Sequence, residues 1–270
     1  MKPRALVVTG AGINCQRETA AAFAHAGADA RIENVAELCA APERLREVEV
    51  LALPGGFSYG DDTGAGNALA HRLDHALGDA LHAFVARGGF VLGVCNGFQV
   101  LVRLGLLEAV RARDTGLALL HNAPLGFQCR WVDLDVGHGA SAWLQDLRGA
   151  HIRLPIAHGE GRLVATTAAL SRLHARAQIA LRYAGDNPNG ATDAIAGLVD
   201  PTGRVFGLMP HPERALLFHQ REDWPRVAAL LARAGRAMPT YAAGASFFFS
   251  AVRALGGVPP SFDDLVRSTP

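Results

Sequence analysis

The stretch Phe90-Val91-Leu92-Gly93-Val94-Cys95-Asn96-Gly97-Phe98-Gln99 decides how the rest of the chain is read. Its first five residues are an apolar run without polar alternation, the pattern of a strand covered on both faces of a parallel sheet. Cys95 follows at once, and residues 96–104 continue with apolar side chains at helical spacing. A strand that passes through a single residue into a helix is the geometry of a nucleophile elbow, and Gly93 and Gly97 stand where a tight turn needs small residues. A thiol there meets the unpaired N–H groups and positive dipole end of the helix, which favour a developing thiolate. The competing reading is a small buried thiol, as most free cysteines are.

Outward from the elbow the chain repeats a strand-helix rhythm. Apolar, strand-like runs at residues 5–8, 30–35 and 48–53 alternate with helical segments at about 17–25 and 68–86. This predicts a doubly wound α/β fold with a mostly parallel sheet and helices on both faces. Beyond residue 104 the shorter runs 128–134, 151–155, 162–165 and 178–183 read as further strands, some of them antiparallel additions. A last helix is expected over about 224–237 with Asp223 as N-cap, and Phe247-Phe248-Phe249 as core packing. Length and the absence of a long linker point to one domain over residues 1–270, with a C-terminal extension from about 238.

Composition narrows the partners. With 26 basic and 25 acidic side chains the formal charge is +1, so no strong field favours nucleic acid or an anionic membrane. No apolar run approaches the roughly 20 residues of a membrane helix, and the start of the chain does not have the pattern of an export signal. A cytoplasmic protein is expected, with Cys15, Cys39, Cys95 and Cys129 reduced. None shows C-x-x-C spacing, so no metal site is expected.

An acyl-transferring thiol needs a base. His211, in Met209-Pro210-His211-Pro212-Glu213-Arg214, is the best placed of 11 histidines. Two prolines bias the segment toward an extended chain, in which residues i and i+2 face the same way, so Glu213 could orient the His211 imidazole. The glycine loop Pro54-Gly55-Gly56-Phe57-Ser58-Tyr59-Gly60-Asp61 follows a buried strand. Its Gly56 or Phe57 N–H, with that of Asn96, would cradle an oxyanion. A phosphate loop is the weaker alternative, since neither G-x-G-x-x-G nor a Gly-Lys-Ser/Thr ending is present.

Together these three motifs closely resemble those of class I, triad-type glutamine amidotransferases. Three further segments, Gly12-Ile13-Asn14-Cys15-Gln16-Arg17-Glu18, Ile156-Ala157-His158-Gly159-Glu160-Gly161 and Asn187-Pro188-Asn189-Gly190, resemble the family of glutaminase subunits of phosphoribosylformylglycinamidine synthase. The resemblance implies a flavodoxin-like fold with Cys95 as nucleophile, His211 as base and Glu213 as its orienting acid. It places Gly56 and Asn96 in the oxyanion hole and Gln99 against the substrate, glutamine. It further implies that ammonia passes to a separate synthetase subunit that uses ATP and magnesium, with a small third subunit alongside. No cofactor is expected in this chain. One departure is Asp62-Thr63-Gly64-Ala65-Gly66, where many stand-alone subunits resembled here carry Tyr-Leu-Arg-Ala-Gly. His158 and Glu160 are expected to face a partner or order a loop, and Cys15 and Cys129 to be packed thiols without a histidine partner.

Overall fold

The computed structural model describes residues 2–108 and 115–261. The chain opens with β1 (Arg4–Thr9), α1 (Gln16–His25), β2 (Asp29–Asn34), α2 (Val35–Ala40), β3 (Val50–Leu53), α3 (Asn67–Ala86), β4 (Phe90–Val94) and α4 (Asn96–Leu104). Here β1, β3 and β4 are nearly continuous runs of buried apolar residues, because both faces of their sheet are covered. The strand expected at 30–35 ends one residue early. Asn34 caps a short helix instead, its Oδ1 accepting the Ala36 N–H at 2.9 Å, and Val35 packs inward as that helix's first residue.

The second half holds β5 (Leu117–Leu120), β6 (Gln128–Val136), β7 (His151–His158), β8 (Arg162–Ala165), α5 (Thr167–Ala175), β9 (Ile179–Tyr183), β10 (Ile195–Val199), β11 (Val205–Leu208), α6 (Trp224–Arg233) and α7 (Ala245–Ala254). The main sheet has nine strands in the order β2-β1-β3-β4-β11-β10-β9-β6-β7. The five strands from β2 to β11 pair in parallel, whereas β11-β10-β9-β6-β7 is antiparallel throughout. Strands β5 and β8 form a separate antiparallel pair. The chain steps one way from β1 to β2 and the other way from β3 to β4, so right-handed crossovers put α1 and α3 on opposite faces. Helix α7 packs beside α1, and α4 beside α3.

The hairpin β10–β11 is the element the sequence reading passed over, although Asp200-Pro201-Thr202-Gly203 is a strong turn signal between two apolar runs. The Asp200 carboxylate closes that turn by accepting the N–H groups of Thr202, Arg204 and Val205 at 3.1, 2.9 and 2.9 Å. The consequence is functional: β11 lies beside β4 with Leu208 opposite Val94, so the segment carrying His211 leaves the sheet next to Cys95.

At the C-terminal end, α6 stops at Arg233, short of the expected 237; Asp223 stands at its N-cap as expected, but its carboxylate binds Arg221 at 2.9 Å and Arg226 at 3.2 Å and makes no capping bond. Phe247, Phe248 and Phe249 are fully buried, and consecutive buried residues require a helix enclosed on all sides. Phe248 meets Phe23 edge-on with ring centroids 5.0 Å apart, and Phe247 stacks on Phe206 at 5.9 Å. Residues 262–270 lie outside the described residues. Because α7 fills the core over α1, Phe248→Ala is expected to lower unfolding free energy by about 3–5 kcal/mol, measured by urea denaturation; a loss under about 1 kcal/mol would mean that α7 is peripheral.

Candidate active site

Cys95 joins β4 to α4 with φ 51° and ψ −104°, a conformation that side-chain-bearing residues rarely adopt. Two contacts enforce it. The Cys95 N–H donates to the Leu208 carbonyl at 2.8 Å, tying the elbow to the neighbouring strand. Gly97 lies so close to β3 that a Cβ there would sit 1.8 Å from the Leu53 carbonyl oxygen. The elbow is thus pressed between the ends of β3 and β11, at the carboxyl edge of the parallel strands where α/β sheets collect ligands.

The segment leaving β11 carries His211. The His211 N–H donates to the Pro155 carbonyl at 2.8 Å. Residues Pro212–Arg214 form a single 3-10 turn, not the extended chain expected from the two prolines. The turn still brings the i and i+2 side chains together, with His211 Nδ1–H donating to Glu213 Oε1 at 2.6 Å. His211 and Glu213 are 1% and 2% exposed, and Cys95 is 5% exposed. Burial resists protonation of His211, yet the adjacent Glu213 carboxylate and the nearby Cys15 and Cys95 thiols outweigh it and raise its pKa well above the ordinary histidine value. With Nδ1 committed to Glu213, Nε2 is buried and makes no hydrogen bond among the described residues.

Among the described residues, the backbone amides of Gly56 and Asn96 make no backbone hydrogen bond. The Phe57 N–H, by contrast, donates to the Gly12 carbonyl at 2.8 Å. Gly56 has φ 150°, and a Cβ there would lie 2.4 Å from the Gly12 carbonyl oxygen. On the elbow, the amides of Phe98 and Gln99 bond the Cys95 carbonyl, while that of Asn96 makes no bond among the described residues.

Side chains near the elbow close a ring of hydrogen bonds. Asn96 Oδ1 accepts the Ser58 N–H at 3.2 Å, and Asn96 Nδ2 donates to Asp61 at 3.1 Å and to Gln99 Oε1 at 2.9 Å. Gln99 Nε2 donates to the Glu160 carbonyl at 2.5 Å, and Glu160 Oε2 accepts the Ala65 N–H at 3.1 Å. Both ends of the Gln99 amide therefore bind protein. Burial raises the Asp61 pKa, with Glu160 adding to the effect against the opposing bonds from Gly66 and Asn96. The departure at 62–66 folds into this ring, since Gly64 and Gly66 take φ 99° and 70°, and Arg103 Nε donates to the Ala65 carbonyl at 3.1 Å.

His158 is 2% exposed, so of its two expected roles it takes that of ordering a loop. Its Nδ1–H donates to Asn122 Oδ1 at 3.1 Å, and Asn122 also accepts the Gly161 N–H at 2.9 Å. Burial, then repulsion from His211, holds the His158 pKa down to about 4, so the ring is neutral. Asn189, from the Asn-Pro-Asn-Gly motif, donates to the Gly161 carbonyl at 2.7 Å. Asn122 was not singled out in the sequence; a lone Asn followed by Ala-Pro carries no chemical signature of its own.

Two cysteines need correction. Cys129 is exposed on β6, not packed. Cys15 is fully buried but does have a histidine neighbour, with Sγ 4.0 Å from His211 Nδ1. The loop after β1 brings it there, a proximity that a 196-residue separation hides. Donor atoms of Cys15, His211 and Glu213 lie within 4.8 Å of one another. The 2.6 Å Nδ1–Oε1 separation fits a shared proton, whereas two ligands of one tetrahedral zinc stand about 3.3 Å apart.

This fold and site lead to a class with known relatives. Residues 2–250 match the CobB/CobQ-like glutamine amidotransferase domain. The phosphoribosylformylglycinamidine synthase subunit PurQ of Methanococcus maripaludis strain S2 is 39% identical over 88% of this chain and 92% of its own. The PurQ subunit of Cereibacter sphaeroides is 45% identical over 79% of this chain and 89% of its own. A chain of the PurLQS structure from Thermotoga maritima superposes with a TM-score of 0.73 at 33% identity, covering 94% of this chain and all of that one. The chain belongs to the PurQ family of glutamine amidotransferase subunits. No helix among the described residues is long and apolar enough to cross a membrane.

The protonated state of His211 follows from its carboxylate neighbour. In Glu213→Gln the His211 pKa is expected to fall toward or below about 6.5, read from imidazole 15N shifts against pH; an unmoved titration would remove Glu213 as the cause.

Proposed function

We propose that this chain hydrolyses glutamine and hands the ammonia to an ATP-dependent synthetase that makes formylglycinamidine ribonucleotide in purine biosynthesis. The observation that carries the reading is the strained Cys95 elbow at the end of β4, next to the strand β11 that leads into the buried His211–Glu213 pair.

The chemistry follows from that arrangement. The Cys95 thiolate attacks the glutamine side-chain carbonyl carbon, and the oxygen takes up the electron pair in reach of the Gly56 and Asn96 amides. His211, protonated at Nε2, gives that proton to the amide nitrogen, and ammonia leaves as the C–N bond breaks and the thioester remains on Cys95. Water then attacks the thioester with His211 taking its proton, and the C–S bond breaks to release glutamate and restore the Cys95 thiolate beside protonated His211. Glu213 holds the ring in the required tautomer throughout. Gln99 and the Asn96 side chain frame the glutamine end of the site and tie it to the Glu160 loop.

We read residues 1–270 as one amidotransferase domain whose partners are a synthetase subunit and a small third subunit, in the cytoplasm, with ATP and magnesium confined to the synthetase. The family relationship supports this division, since the superposed relative is a chain of a PurLQS structure. In the presence of the synthetase, the wild-type chain is expected to release glutamate and to accumulate a glutamyl adduct on the Cys95 peptide after acid quench. Cys95→Ala should reduce release by at least about 10⁴-fold; release that survives this substitution would sink the assignment.

A further inference from the structure

The buried triad has an electrostatic problem that its three members do not solve. In the attacking form it holds a Cys95 thiolate, a His211 imidazolium and a Glu213 carboxylate, a net charge of −1 in a region from which solvent is almost excluded. His158 on β7 and Tyr183 on β9 lie near enough to His211 and Cys95 respectively to feel their charge. Both are neutral, because burial lowers the first pKa and raises the second. Asp61 and Glu160 belong to the ring around Asn96 and Gln99, where Arg103, bound to the Ala65 carbonyl, is the nearby cation.

A cation is available one residue beyond Glu213. The Arg214 guanidinium is half-buried, and although burial opposes its charge, the neighbouring Cys15, then Glu213 and Cys95, hold its pKa above the ordinary arginine value. Its hydrogen bond does not go to the carboxylate. Arg214 Nη2 donates to Cys15 Sγ at 2.9 Å, while the Cys15 thiol proton faces Asn14 Oδ1 at 3.1 Å. The same sulfur lies 4.0 Å from His211 Nδ1, and Gly55 leaves it room, since a Cβ there would stand 3.3 Å from the sulfur and 2.7 Å from His211 Cε1. Cys15 is thus an acceptor fixed in place by its burial, with one face toward the guanidinium and the other toward the edge of the imidazole that Glu213 occupies.

We infer that Cys15 and Arg214 form a positioning pair: the Cys15 sulfur clamps Arg214 beside the triad, and Arg214 supplies the counter-charge for the Cys95 thiolate and the Glu213 carboxylate. Neither residue touches the reacting atoms. Cys15 acts through Arg214 and the His211 ring, and Arg214 acts through space. The pair also accounts for a second buried thiol that the proposed chemistry leaves unused. The inference rests on Cys95 being the nucleophile, and the test below separates the two.

The full-length chain is treated with iodoacetamide across a pH series, and the rate of alkylation of the Cys95 peptide is followed by mass spectrometry. Loss of the cation disfavours the thiolate, so the acid-side midpoint for Cys95 should rise by about one pH unit in Arg214→Met and by about half a unit in Cys15→Ala. Arg214→Lys, which keeps the charge, and Cys15→Ser, which keeps an acceptor, should stay closer to wild type. In the complex with the synthetase the same variants should lower kcat for glutamate release with KM little changed. Arg214→Gln carries the test if the methionine variant does not fold. Wild-type midpoints in folded Arg214→Met (or Arg214→Gln) and Cys15→Ala would overturn the pair, whereas wild-type protein that releases no glutamate would overturn the nucleophile itself.

Discussion

The Cys95 turn is the constraint on which the rest of this structure depends. A residue with a side chain is held at φ 51° only because neighbouring structure leaves no alternative, and here two strands do so. Strand β11 takes the Cys95 N–H on its last carbonyl, and β3 presses its own last carbonyl against Gly97. The two flanking strands then continue directly into the loops that carry Gly56 and His211. The strain and the convergence of the site therefore share one cause, the parallel alignment of β3, β4 and β11.

Around that turn the polar groups fall into two sets. One is the set of Cys95, His211, Glu213, Cys15 and Arg214. The other is a set of amides and carboxylates, Asn96, Gln99, Asp61 and Glu160, on the α4 side. Asn96 belongs to both, since its backbone faces the site while its side chain ties loop 58–66 to the elbow. Glycines at 64 and 66 let that loop fold back onto α4, so Asp62-Thr63-Gly64 keeps the ring closed through Arg103 and the Ala65 backbone.

Legibility in the sequence followed the range of the interactions. Runs covered on both faces, such as β4, show as uninterrupted apolar residues, and the elbow shows as a cysteine between two glycines at the end of such a run. The His211 and Glu213 contact was also legible, because two residues on one short segment meet whether that segment is extended or, as here, turned. The β10–β11 hairpin had a visible turn signal and was missed among other short strands. Helix α7 was hidden for a different reason: Phe247-Phe248-Phe249, buried all round, has no amphipathic period to read.

The sequence by itself determined the fold class, the family resemblance and the candidate triad, since each is encoded within a stretch of a few residues by apolar pattern, glycine placement and side-chain chemistry. Only the tertiary structure decided which groups stand behind those residues. Cys15 meets His211 and Arg214 across almost 200 positions, and His158 meets Asn122 across 36. Such contacts depend on strand order and on how loops leave the sheet. Those features arise from packing the whole chain, and no local spacing records them.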